Sequence, residues 1–248
     1  GYLSCIFYGF RPSTVKNNPL LYLVLTSFAV FNISIQIFMP YLIIYYEKSL
    51  GMTNYVFIMA PAIIIAAVFT AFWGKVYDKK GFKFSVAVPL VSLSAGYLFL
   101  FFTKTTLPVF IGSLFMMCGY LAGMAVFGAS IRDNTPENKS GMFQGLRIVA
   151  QVLIPGVVGP AIGEAILKDA ELVTNDDGTT SFIPNEGIFM GALVVAIVLS
   201  AFLVLVFFAM KRLKKPNLCK LSTPEAESYD ENAWNDYPRP QLRRDSFL

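Results

Sequence analysis

The sequence predicts an all-α fold: a polytopic membrane protein built as a six-helix half-bundle. Three observations predict it. Of the 248 residues, 55% are hydrophobic and only 15% charged, a balance that suits a membrane protein better than a soluble globule. Six apolar runs have the roughly 20-residue length needed to cross about 30 Å of hydrocarbon. The basic residues gather in alternate connections between those runs.

The runs extend over about Leu20 to Tyr46, Tyr55 to Trp73, Phe84 to Phe102, Leu107 to Ile131, Met142 to Leu167 and Ile188 to Met210. Lipid satisfies no backbone polar group, and the runs are far longer than barrel strands, so each is expected to be a helix. Residues 1–19 then read as a lead-in, the end of a central loop, and 20–215 as the bundle. Short cytoplasmic loops keep Lys and Arg. One side carries Arg11, Lys16, Lys75, Lys79, Lys80, Lys83, Arg132, Lys139 and Lys211 to Lys215; the other has only Lys48, Lys104 and Lys168. Both termini are therefore expected in the cytoplasm. The longest loop, KDAELVTNDDGTTSFIPNE from Lys168 to Glu186, is acidic and falls outside. After Pro216 the chain turns polar, which marks residues 216–248 as a linker or the start of another domain.

The absence of histidine excludes an imidazole relay, a histidine-centred triad and a His-containing zinc site. Cys5, Cys118 and Cys219 are far apart and follow no CxxC spacing, so no metal or disulfide framework is indicated, and Cys118 reads as packing. No cofactor is implied. The net charge of +4 is scattered among loops and forms no continuous patch, so nucleic acid is not an expected partner; the lipid bilayer is. Gly1 opens the chain without an initiator methionine or a signal peptide, so it reads as an excised piece.

Between the second and third runs lies GKVYDKKGFK, Gly74 to Lys83. A glycine, three residues, Asp, a basic residue, another residue, glycine and a further basic residue two on resembles the short cytoplasmic loop motif of the major facilitator superfamily. There the motif sits between the second and third helices of each six-helix half. Gly74 permits close helix approach and Gly81 a positive φ, while Asp78 can accept hydrogen bonds at the start of a neighbouring helix. The resemblance implies that Gly74, Asp78, Lys79, Gly81 and Lys83 form a gating loop holding two halves together in one alternating state. The plainer reading is a basic loop that sets topology.

The fifth run resembles the same family. Gly141, Gly145, Gly156, Gly159 and Gly163 fall within about 60° at roughly 100° per residue, a face against which another helix can pack. GPAIGE, Gly159 to Glu164, resembles the family's glycine-proline motif, with Pro160 as a bend; packing groove and hinge are both open readings. A second stripe, Gln144, Arg147, Gln151 and Pro155, lies about a quarter turn away. Polar groups at membrane depth face a partner or a wet cavity. Gln151 is the deeper candidate; Arg147 can also snorkel to the cytoplasmic interface.

In the first run, NISIQIFMPY places Asn32 and Gln36 one turn apart near mid-membrane, with Pro40 and Tyr41 a turn further. Amides and a tyrosine suit a neutral polyhydroxyl ligand, and the first helix of the C-terminal half lines the sugar site in the family's sugar carriers. The alternative is an interhelical hydrogen bond worth about 1 kcal/mol or less. TPEN, Thr135 to Asn138, reads as a helix start with Thr135 as its cap. Glu47 and Glu164 sit near outer helix ends and make poor mid-membrane proton carriers.

DYPRPQLRRDSFL, Asp236 to Leu248, resembles the opening of family-two glycoside hydrolases, or else is a disordered basic tail. It holds no catalytic carboxylate pair, so the chain itself is not expected to be an enzyme. The resemblances together imply the C-terminal half of a secondary carrier in a bacterial plasma membrane. Its missing N-terminal six-helix half would complete a path for a small-molecule substrate, a glycoside or oligosaccharide moving with a coupling cation. The alternatives are a drug or metabolite exporter of the same fold, or the membrane anchor of a fused hydrolase.

Overall fold

In the computed structural model, which describes residues 12–136, 140–174 and 180–214, five helices are long and apolar enough to cross a membrane. The longest breaks once, so the chain crosses the bundle in six legs, called spans 1 to 6 below. Span 1, Pro19–Ser49, follows a short helix, Pro12–Asn17. Proline suits a first helical turn because its missing N–H is an orphan there. Pro40 lacks that donor inside the span, and the α-helix gives way to a 3-10 turn, Met39–Tyr41, then resumes briefly before a π-helical end, Tyr45–Ser49.

Val56–Phe102 forms spans 2 and 3, residues 56–80 and 82–102, broken at Gly81 with φ 71° and ψ 179°. This backbone region is essentially confined to glycine, so the chain reverses between the spans with one residue. Trp73 Nε1 donates to the Ser85 carbonyl at 2.9 Å and ties the two legs together across the break.

Span 4 is Thr106–Asn134. Thr135 ends it instead of starting the next helix: its Oγ1 donates back to the Ile131 carbonyl at 2.6 Å and its N–H to Arg132 at 3.1 Å. The expected cap at Thr135 is thus corrected. A hydroxyl four residues past a free carbonyl reaches it more readily than amides ahead of it. Glu137 and Asn138 of TPEN lie outside the described residues.

Span 5 is composite: Ser140–Ile148, a π-helical turn Val149–Leu153, then Ile154–Ile166. Pro155 cannot donate to the carbonyl four residues back, and the wider turn lies just before it. Beyond it, Leu172–Thr174 and Thr180–Phe182 pair as an antiparallel ribbon, Leu172 opposite Phe182, within the long loop from Lys168 to Glu186. Ser49 Oγ donates to the Pro184 carbonyl, and Lys104 pairs with Glu186 at 3.3 Å, fastening this loop to its neighbours. Span 6 is Gly187–Lys214. Contacts group residues 1–209 into one unit and 210–248 into a second, most of which, including the hydrolase-like Asp236 to Leu248, lies outside the described residues.

Span 1 runs through the middle of the first unit. Phe28 and Phe31 meet Phe127 of span 4 at 5.6 and 5.3 Å between ring centroids. Phe38 meets Tyr97 of span 3 and Phe189 of span 6 at 5.4 and 5.8 Å. At this junction Ser34 Oγ donates to the Ala192 carbonyl at 2.9 Å and shares a 3.1 Å hydrogen bond with Tyr97 Oη. Spans 3 and 4 approach most closely through glycine. A methyl group on Gly119 would lie 2.6 Å from the Pro89 carbonyl, and one on Gly96 2.5 Å from the Met116 backbone nitrogen. Helices in lipid gain no hydrophobic advantage from pairing, so such close van der Waals approach holds them together.

Candidate functional site

The loop at Gly81 is held by its aromatic flanks. Lys80 Nζ sits 4.1 Å above the Phe84 ring and Lys83 Nζ 5.6 Å above Phe207. Lys79 is exposed. Tyr77, buried between spans 2 and 4, donates its hydroxyl to Asp133 Oδ2 at 2.7 Å, and Asp133 also meets Arg132 at 3.5 Å. Asp78 is exposed, and no described residue bonds to it. Gly74 likewise has no described atom within 4 Å of where a side chain would begin, so the helix approach expected there does not occur within this bundle.

Span 5 divides the expected glycine face. Gly159 lies against Gln36 of span 1, and a methyl group there would stand 2.8 Å from the Gln36 carbonyl carbon. Gly163 lies against the Ile37 carbonyl and the Tyr41 ring, 2.6 and 2.7 Å from the corresponding position. Gly141, Gly145 and Gly156 meet nothing within 4 Å among the described residues. The single 60° face is therefore a correction. A π-helical turn admits one extra residue, and one residue rotates everything beyond it by about 100°. Gly141 and Gly145 precede the turn and Gly159 and Gly163 follow it. Pro155, assigned from the sequence to the polar stripe, is buried in line with Gly159 and Gly163, leaving Gly156 turned outward. Pro160 stays within the helix Ile154–Ile166.

The polar candidates fall at successive depths along spans 1 and 5. Asn32 is buried, and its Nδ2 donates to the Phe28 carbonyl in its own helix at 2.8 Å. Gln36 and Tyr41 are partly buried over the two glycines. Gln151 is partly buried in the π-helical turn, which packs on span 1. Gln144 is exposed. Arg147 is partly buried and reaches toward span 4, its Nη2 3.3 Å from where a side chain on Gly128 would begin. Its Nε is buried without a hydrogen-bond partner.

The family model described as Major Facilitator Superfamily matches residues 8–160, from before span 1 well into span 5. The chain belongs to the major facilitator superfamily. Comparison with curated proteins and with solved structures gives no match. As a member of the superfamily the protein is integral to a membrane and carries a small solute across it.

In this superfamily bundle, residues that sequence reading passed over shape the site. Gly128 leaves room beside the Arg147 guanidinium, and Gly123 leaves room for the Phe31 ring. The spacing of Gly119 and Gly123, four apart, is the small-residue signature of close helix packing and was open to notice. Gly128 and Asp133 carry no such signal, because their roles depend on what spans 2 and 5 bring to them.

Proposed function

We propose that this superfamily bundle is the C-terminal half of a secondary carrier. It imports a glycoside or oligosaccharide with a cation, by rocking against a second six-helix half. The observation that carries the proposal is an unmet surface. Along residues 56–72 of span 2 only Ile58, Ala62 and Ala66 are buried, while Phe57, Ile64, Val68 and Phe72 face outward. Ile148, Val152, Val157 and their neighbours do the same on span 5. Asp78 stands at the lysine-bearing end with a carboxylate suited to a helix start that this bundle does not supply.

The cargo reading rests on Gln36, Tyr41, Gln151 and Asn32, whose amides and phenol match hydroxyl groups. Asn32 spends one Nδ2 hydrogen on the Phe28 carbonyl, which leaves its second Nδ2 hydrogen and its Oδ1 for a sugar hydroxyl. The Lys and Arg of alternate connections support a reading with both termini in the cytoplasm, and the membrane in this reading is a bacterial plasma membrane. Alternating access then needs Asp78, with Lys79, Lys83 and the Gly81 turn, to lock and release the opposite half.

Uptake of labelled glycosides by the full-length protein in proteoliposomes, with and without a cation gradient, tests this reading. Gradient-driven uptake that falls at least tenfold on Gln36→Ala or Asn32→Ala is expected. Unchanged uptake in both variants would remove the sugar site from spans 1 and 5. Absence of any gradient-driven uptake would remove the symport reading.

A further inference from the structure

Arg147 is a cation within the bundle that no described residue neutralises. Arg147 lies about 10 Å along span 5 from Ser140, at 1.5 Å per residue. The guanidinium turns toward span 4: its Nη2 lies beside Gly128, and its Nε is buried with no acceptor among the described residues. A buried N–H left unpaired is costly, the more so on a charge within a membrane, and a partner arriving during function would recover that cost.

Nothing described in the bundle provides that partner. Asp133, at the end of the same span as Gly128, is taken up by Tyr77 and Arg132. Asp78 and Glu47 are exposed on other spans, Glu164 is exposed near the far end of span 5, and neither ion pair among the described residues includes Arg147. The guanidinium fork matches a planar carboxylate with two parallel hydrogen bonds, a fit that a lone ammonium does not offer. Gln151, one turn further along the span and partly buried, supplies amide donors and acceptors for hydroxyl groups beside it.

We propose that Arg147 binds the carboxylate of the cargo, and that the cargo is therefore an acidic sugar, a hexuronate or its glycoside. This rests on the carrier reading above and names the substrate class within it. Gly128 is part of the site, since any side chain there would occupy the space beside the guanidinium.

The test uses full-length protein and two labelled probes, phenyl β-glucoside and phenyl β-glucuronide, alike except for the carboxylate. Uptake into proteoliposomes and thermal stabilisation in detergent are both read. Wild-type protein is expected to favour the acidic probe at least tenfold, Arg147→Gln to bring the acidic-to-neutral ratio near one, and Arg147→Lys to fall between. Gly128→Leu is expected to lower the same ratio. A wild-type ratio near one overturns the proposal. So does an Arg147→Gln variant that loses both probes equally together with thermal stability, which would make the arginine an ion-pair partner of the opposite half. Stabilisation by the acidic probe that depends on Arg147, without uptake, would sustain the site and overturn the carrier reading. Neither uptake nor stabilisation overturns both.

Discussion

Gln36 of span 1 rests on Gly159 of span 5, with no room between them for a methyl group. One turn further, Tyr41 rests in the same way on Gly163. The two polar residues proposed to meet the cargo and the two glycines proposed to let helices approach are thus one contact. Any motion of span 5 against span 1 shifts both sets together.

Substituting Gly159 by Ala places a methyl group against the Gln36 backbone, and overpacking of this kind costs about 1–3 kcal/mol. Gly163→Ala meets the Ile37 carbonyl in the same way. Gly145→Ala has open space within the bundle and gains helix propensity of up to about 1 kcal/mol. Thermal unfolding of the full-length protein is expected to rank Gly145→Ala above wild type and both outer variants below it. A destabilised Gly145→Ala would show that another helix covers that face.

At Gly81 the backbone occupies a region closed to side chains, with a cost of about 1–3 kcal/mol for any other residue. Gly81→Ala is expected to lower thermal stability by that amount and to slow transport, because the turn carrying Asp78 must change shape. Stability equal to wild type would mean that the turn tolerates a side chain and that the positive φ is not required.

The Tyr77 hydroxyl bond to Asp133 anchors the loop at Gly81 to span 4. Tyr77→Phe loses a hydrogen bond to a charged group, worth about 1.5–3 kcal/mol at most and less at this partly exposed carboxylate, whereas Asp133→Asn keeps an acceptor and loses only its charge. A double-mutant cycle is expected to return a coupling energy of at least about 0.5 kcal/mol, since contacting residues are non-additive. Strict additivity would remove the bond from the account of the gate.

Ser34 joins spans 1, 3 and 6 through two hydrogen bonds. Interhelical bonds in membranes average about 0.6 kcal/mol, so Ser34→Ala is expected to cost only about 1 kcal/mol, and adding Tyr97→Phe little more. Unfolding titrations of the two variants, alone and combined, measure this. A loss several times larger would assign the junction a role beyond packing.

Much of the fold was legible along the chain. Apolar length marks each span wherever it packs, and the glycine in GKVYDKKGFK is demanded by backbone sterics alone. The span 5 face was not legible. A uniform 100° step presumes an unbroken α-helix, and the π-helical turn at Val149–Leu153 invalidates the step at that point. Asn32 shows the other difficulty: its amide was open to a ligand or to an interhelical hydrogen bond, yet a carbonyl four residues back in its own helix is always within reach.

By itself, then, the sequence determined which segments enter the membrane, where the chain must turn on a glycine, and which family the loop motif belongs to. Each of these depends on local hydrophobicity or local sterics. Only the tertiary structure decided that Gly159 and Gly163, not Gly141 and Gly145, receive span 1, that Tyr77 finds Asp133, and that Arg147 lies beside Gly128 without a partner among the described residues. These pairings join residues distant in the chain. They depend on helix rotation and depth, which packing against neighbouring helices sets and which no single helix carries in its own residues.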